Sequence, residues 1–321
     1  MRILFAGSPE IALPSLERVA AEHQIVGVLT NPEAPKGRGL CHACTPVAEL
    51  AARLLPGVPV LSPARLGPQL RQTVQDLQPE LLVVFAYGRI FGPKFLALFP
   101  RGSVNVHPSL LPRWRGCSPV PHAIMHQDAR TGVTVQRIAL QMDTGDILAA
   151  QEIDLDGSET TESLSKTAAA VGAALLADVL RQLAAGTEQP RAQNNADASY
   201  CVALSKELAA IDWSTDAAAI DARIRAFNPW PVAWTLLNGQ RLAIHRSSRC
   251  PDLADSGLTP GTIIRIDKSR GIMVQTGNGI LALQALQLPG KKLLPYKDFV
   301  NGVRNLESAR LCSGQTRQEH E

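Results

Sequence analysis

Short apolar runs separated by helical stretches dominate the first 190 residues. Arg2-Ile-Leu-Phe-Ala6, Gln24–Leu29 and Leu81–Phe85 are apolar along most of their length rather than alternating, and Ser103–Val106 repeats the strand signal with polar Asn105 between its valines. Strands buried on both faces carry that signature, and helices between them supply the covering layers. The pattern therefore predicts an α/β, Rossmann-like, mostly parallel sheet as the N-terminal domain. Gly7-Ser-Pro-Glu10 predicts a tight turn with Ser8 as N-cap and Pro9 at the first helical position, opening a helix over 9–21. Residues 159–185 read as one long helix stopped by Gly186.

The periodicity changes after a polar stretch, Thr187–Ser199, which contains Pro190 and Asn194-Asn195 and reads as a linker. A helix near 214–226 is followed by short alternating strands at 232–237, 241–246, 262–267, 271–276 and 279–286. Asn238-Gly239 is a strong hairpin signal. This pattern predicts a smaller C-terminal β-barrel domain, OB-like among the options. The expected boundaries are 1–189, a linker at 190–205, a second domain at 206–314 and a polar tail at 315–321.

Hydrophobic residues make up 45% of the 321, enough for two cores, and the net charge is only +3. The charge is unevenly placed. Residues 1–189 carry 16 Lys/Arg against 17 Asp/Glu, whereas residues 190–321 carry 16 against 12. Such asymmetry suits a polyanionic partner for the second half, or merely a solvated basic surface. The six cysteines are scattered, no leader precedes the first strand, and no run is read as membrane-spanning. The expectation is a reduced, cytoplasmic protein with no membrane partner.

The polar interruptions of the fourth apolar run are the candidate chemistry. Asn105 and His107 are two residues apart on a strand, so both side chains leave the same face. Pro108 and Pro112 end the strand there. Ligands in parallel sheets sit beyond the carboxyl ends of the strands, where Tyr87-Gly88 also lies. Asp143, in Met-Asp-Thr-Gly-Asp146, offers a carboxylate to hold the imidazole. An amide donor, an imidazole and a carboxylate fit acyl transfer through an oxyanion that needs fixed donors.

Other motifs carry less. The Gly7 turn has one glycine where a dinucleotide fingerprint needs three, and no phosphate-binding loop sequence occurs. Cys41-His-Ala-Cys44 and the His122/His126 pair each lack the further ligands that zinc requires, so no metal is expected. Cys117 has no base beside it in sequence. Loop 31–44, rich in Pro and Gly, reads either as an ordinary surface loop or as an arm presenting Lys36 and Arg38.

Asn105-Val-His107-Pro-Ser-Leu-Leu-Pro112, Arg113-Trp-Arg-Gly116 and Asp143-Thr-Gly145 together resemble the active-site signature of the folate-dependent formyltransferases. Tyr87-Gly88, Ala203-Leu-Ser-Lys-Glu207, Ile211-Asp-Trp213, Arg225-Ala-Phe-Asn-Pro-Trp-Pro231 and Gly290-Lys-Lys292 extend the resemblance over essentially 1–305. They are similar to the branch that acts on methionyl-tRNA. The resemblance implies transfer of formyl from 10-formyltetrahydrofolate to the α-amino group of methionine on initiator methionyl-tRNA. It implies Asn105, His107 and Asp143 as catalytic residues. Ser109, Leu110, Leu111 and Pro112, with Tyr87 and Gly88, are implied at the folate site. Lys36, Arg38, Lys206, Lys291 and Lys292 are implied as tRNA contacts, on a monomer without metal. The family loop continues after Gly-Arg-Gly with more lysine; here it reads Leu40-Cys-His-Ala-Cys44. Two other readings stay open: formyl transfer to glycinamide ribonucleotide or a nucleotide-sugar amine, and a non-enzymatic RNA-binding module.

Overall fold

The computed structural model describes residues 1–36, 41–303, 306–307 and 309–313. The chain divides into two compact units. The first comprises Met1–Pro119, Arg130–Asp154 and Leu164–Val202; the second comprises Val120–Ala129, Leu155–Ser163 and the chain from Ala203 onward.

Along the first part of the chain run β1 (Arg2–Gly7), α1 (Leu13–Glu22), β2 (Gln24–Leu29), β3 (Ala34–Lys36), β4 (Cys41–Ala43), α2 (Pro46–Leu54) and β5 (Val60–Leu61). Next come α3 (Pro68–Asp76), β6 (Leu81–Phe85), α4 (Pro93–Leu96), β7 (Ser103–His107) and β8 (Arg115–Gly116). They are followed by α5 (Pro119–Met125), β9 (Arg130–Arg137), β10 (Ile147–Asp154), α6 (Thr161–Ala185) and β11 (Tyr200–Cys201). The main sheet has the order β10-β9-β7-β6-β1-β2-β5. β7, β6, β1, β2 and β5 are mutually parallel, and at one edge β9 pairs antiparallel with β7 and β10 antiparallel with β9.

Alternate residues of the central strands enter two separate cores. Ile3, Phe5, Val83, Phe85, Val104 and Val106 pack with residues of α1, α2 and α6 on one face. Leu4, Ala6, Leu82 and Val84 pack with Leu70, Val74, Phe91, Phe95 and Phe99 on the other. Burial on both faces is why these strands lack alternation in the sequence.

Three local expectations change. Ser8 does not cap a helix: its Oγ accepts from Asn31 N and Nδ2, and a short 3-10 turn precedes α1. The stretch expected as a linker is ordered against the first unit. Arg191 pairs with Ile147, and β11 pairs in parallel with β8. One run does reach membrane-spanning length, Thr161–Ala185, which is α6. Its apolar length is used in the first unit, where Leu176, Val179 and Leu180 are fully buried.

The second unit contains α7 (Ala217–Ala226), β12 (Ala233–Leu237), β13 (Gln240–Arg249), β14 (Ile263–Asp267), β15 (Gly271–Gln275), β16 (Ile280–Gln287), β17 (Leu294–Pro295), α8 (Tyr296–Gly302) and β18 (Leu311–Cys312). All its strand pairs are antiparallel, in the order β14-β15-β16-β13-β12-β18, with β17 on β16. The sheet curls until its edges meet: Leu311 N donates to Gly261 O (2.8 Å) and Ile263 N to Ala309 O (2.9 Å). Trp213, Ile220, Phe227, Ile244 and Leu286 fill the interior. Inward and outward positions alternate on β12, as the sequence pattern predicts.

Candidate active site

β7 places its side chains as a two-residue period requires. Val104 and Val106 pack into the core, while Asn105 and His107 line a cavity of about 440 Å³. The cavity opens beyond the carboxyl ends of β1, β6 and β7, bounded by Pro9, Ala86 to Phe91 and Pro108. Gln136 and Asp143 line the same cavity. Ile90, Leu140 and Met142 add exposed apolar surface to its lining.

His107 is 4% exposed, and its two ring nitrogens have different partners. Nε2 lies 2.9 Å from the carbonyl oxygen of Trp114. A carbonyl only accepts, so Nε2 carries a hydrogen and Nδ1 is the nitrogen left for chemistry. Asp143 Oδ1 stands 3.7 Å from Nδ1, an ion-pair separation rather than a hydrogen bond. The imidazole is therefore oriented by a backbone carbonyl, not by the carboxylate expected to hold it.

Asp143 has its own supports. Gly116 N donates to Oδ2 (2.9 Å), and Gln136 Nε2 donates to Oδ1 (2.9 Å). Gln136 is the register partner of Asn105, so β9 carries that amide beside the β7 pair. Gly116 must be glycine, because a Cβ there would meet Cys201 O at 2.3 Å, and its φ is +119°. Asp143 itself takes a left-handed conformation, φ +56°, which Asp tolerates better than most residues. The Asn105 carboxamide has no hydrogen-bond partner in the protein among the described residues, so its donors are available to a ligand.

Tyr87 and Gly88 line the cavity. The Tyr87 ring is buried and stacks on Phe91 at 5.3 Å; burial raises its hydroxyl pKa. Its carbonyl oxygen accepts from Asn31 Nδ2 at 2.8 Å. Ser109, Leu110, Leu111 and Pro112 do not line the cavity. Ser109 is fully buried and donates to Arg113 O, Leu111 N donates to Thr134 Oγ1, and Leu110 packs close to Gly132. This segment fixes the chain reversal after β7 because its polar groups are spent on the backbone and on β9.

Gln136 was not singled out from sequence, and Trp114 and Gly116 stood in the Arg113-Trp-Arg-Gly116 run with no role assigned to them. Gln136 carried little signal, because β9 reads Arg-Thr-Gly-Val-Thr-Val-Gln-Arg with polar residues along its length. Cys117 lines the cavity and is exposed, while burial pushes the neighbouring Cys201 thiol up to about 11. In the second unit Lys206, Lys291 and Lys292 are exposed, and the backbone oxygens of Lys206 and Lys291 accept from Trp234 and Gln287. Arg38 and the Lys36 side chain lie outside the described residues.

The family model for formyl transferase matches residues 1–180, and that for the formyl transferase C-terminal domain matches 203–304. The methionyl-tRNA formyltransferase of Treponema pallidum (strain Nichols) is 47% identical over 323 residues, spanning 97% of this chain and 99% of that protein. Among solved structures, HypX from Aquifex aeolicus, in complex with tetrahydrofolic acid, shares the fold at a TM-score of 0.63 with 16% identity. The match covers 96% of this chain, which spans only 48% of that longer protein. An N-formyltransferase from Helicobacter canadensis, solved with folinic acid and dTDP-3-aminofucose, matches at a TM-score of 0.62 with 20% identity, over 88% of this chain and 99% of its own. On these matches, with the sheet and the cavity as described, the chain belongs to the methionyl-tRNA formyltransferases.

Proposed function

We propose that this protein formylates the methionine α-amino group of initiator methionyl-tRNA, with 10-formyltetrahydrofolate as donor, and that Asn105, His107 and Asp143 do the chemistry. The observation that carries the assignment is their meeting at one cavity, with Asp143 3.7 Å from His107 Nδ1. The amine attacks the formyl carbon, a C–N bond forms, and the carbonyl oxygen becomes an oxyanion. The Asn105 carboxamide, which has no partner among the described residues, donates to that oxygen. His107 Nδ1 takes the proton that the amine must lose, and Asp143 stabilises the charge the ring then bears. The bond from carbon to the donor nitrogen breaks last, and that nitrogen recovers a proton. The apolar rim of Ile90, Leu140 and Met142 suits the flat rings of a folate, and the backbone at Tyr87-Gly88 offers polar contacts beside it.

The second unit, read as an OB-like barrel, holds the tRNA, with Lys206, Lys291 and Lys292 on phosphates. Between Arg241 and Arg304 ten basic residues face four acidic ones in the sequence, which favours a nucleic acid over a small amine as acceptor. A cytoplasmic monomer completes the reading. Formyl transfer measured side by side to methionyl-tRNA, glycinamide ribonucleotide and a nucleotide-sugar amine tests it. Turnover only with methionyl-tRNA is the expected result; turnover only with a small amine would refute it.

A further inference from the structure

The stretch between α6 and β11 carries a side chain that grips the Asp143 turn. Arg115 is buried, 2% exposed. Among the described residues its guanidinium meets only neutral oxygens. These are Gln193 Oε1 (2.7 Å from Nη2, 3.1 Å from Nε), Asn195 Oδ1 (2.8 Å) and the Tyr200 hydroxyl (3.4 Å).

A guanidinium only donates, so the oxygen of the Gln193 amide must face Arg115. Its NH2 group then points the other way, into the turn. There it donates to the carbonyl oxygens of Asp143 (2.9 Å) and Gly145 (2.7 Å), and lies 3.3 Å from Gln136 Oε1. Those two carbonyls flank Thr144. Gln136 is the side chain that donates to Oδ1 of the Asp143 carboxylate. Gln193 therefore touches both the backbone that carries Asp143 and the side chain that holds its oxygen, yet it does not line the cavity.

We propose that Gln193, its amide orientation locked by the buried Arg115, is the residue that positions Asp143 against His107. The inference rests on the catalytic reading of Asp143 and His107 given above. Pairing of β11 with β8 brings the 191–201 segment behind the Asp143 turn, so a stretch of linker-like composition supports the site from outside the cavity. Gln193 is a positioning residue: it acts through Asp143 and touches no reacting atom.

Gln193→Glu separates this role from a merely structural one. The substituted carboxylate still accepts from Arg115 and gives that cation a counter-charge, so the fold is kept. It has no hydrogen for the two turn carbonyls and repels them. The experiment compares steady-state formyl transfer by the full chain, Gln193→Glu, Gln193→Ala, Asp143→Asn and the double variant Gln193→Glu/Asp143→Asn, with thermal melting of each. A shift of ~1 Å in a catalytic group can cost about 100-fold, so kcat is expected to fall about 10- to 100-fold in Gln193→Glu. KM for the folate donor should stay within about twofold, because no ground-state contact is lost. Adding Gln193→Glu to Asp143→Asn should cost less than about twofold, because the two substitutions act through one group. The proposal is overturned if folded Gln193→Glu turns over within about threefold of the parent, or if its full cost persists in the Asp143→Asn background. Near-parental turnover of Asp143→Asn alone would overturn the catalytic reading as well, which tells the two failures apart.

Discussion

Gly145→Ala should disable the site while adding only one methyl group. The Gly145 backbone does not require a left-handed conformation, so alanine meets no conformational objection there. The objection is space. An ideal Cβ at 145 would stand 1.8 Å from the carbonyl oxygen of Arg137, 2.7 Å from its carbon and 3.4 Å from Ala139 N. Carbon–oxygen contacts normally begin at about 3.3 Å, so the backbones must separate by about 1.5 Å. The Arg137 side cannot yield cheaply, because Arg137 ends β9 in register with Val104 of β7 in the main sheet. The movement falls on residues 141–146, which carry Asp143. A displacement of ~1 Å or more predicts a fall in kcat of about 100-fold. Single-turnover formyl transfer reads the chemical step directly, with thermal melting to confirm folding. Gly157→Ala is the control: its Cβ meets nothing within 4 Å, and although its φ of +85° brings strain, it lies outside the cavity lining. Turnover of Gly145→Ala within about threefold of the parent would refute the claim that this turn fixes the position of Asp143.

Three further outcomes are expected. Asn105→Ala should lower kcat by about 100- to 1,000-fold with a small change in donor KM, as loss of one oxyanion donor does elsewhere; a change confined to KM would make Asn105 a binding residue only. Added salt should weaken tRNA binding along a straight line in log K against log salt, and a flat line would remove phosphate contact from the second unit. At pH 8, alkylation should reach the exposed Cys117 and spare Cys201 in peptide mapping, since the Cys201 thiol is held at about 11 by burial. Only about one molecule in a thousand is then thiolate at that site, and reactivity should climb as pH approaches 11; prompt labelling at pH 8 would contradict the burial.

What could be read in the chain depended on the distance over which each feature is encoded. Asn105 and His107 share a face because of a two-residue period, and that period is written in adjacent residues. The strands of the second unit were equally legible, since inward Ala233, Thr235 and Leu237 alternate with half-buried Trp234 and Leu236. The supports of the site are encoded otherwise. Gln193 meets Arg115 across 78 residues of sequence, and Gly116 meets Asp143 across 27. No local pattern marks such partners, and a glutamine in a polar stretch looks like solvent-facing chain. The Ser109–Pro112 segment is legible in a different sense. Its residues carry the family resemblance beside His107, yet their polar groups are consumed in shaping the reversal after β7.

The division has a physical cause and a consequence for this enzyme. Groups that react must present free donors or lone pairs to a ligand, and Asn105 and His107 accordingly stand as polar positions alternating with the valines of a strand end. Groups that position them must have every hydrogen bond satisfied inside the protein, which hides them among ordinary polar residues. His107 shows both in one ring: Nε2 is spent on the Trp114 carbonyl, and Nδ1 remains toward Asp143. The tautomer is thus set by a backbone atom that no side-chain substitution at 114 can delete. Control over the Nδ1 side lies instead with the turn that carries Asp143, and so with Gly145, Gln136 and Gln193. Variation in turnover that leaves the reacting residues intact should therefore concentrate at these three positions rather than around Trp114.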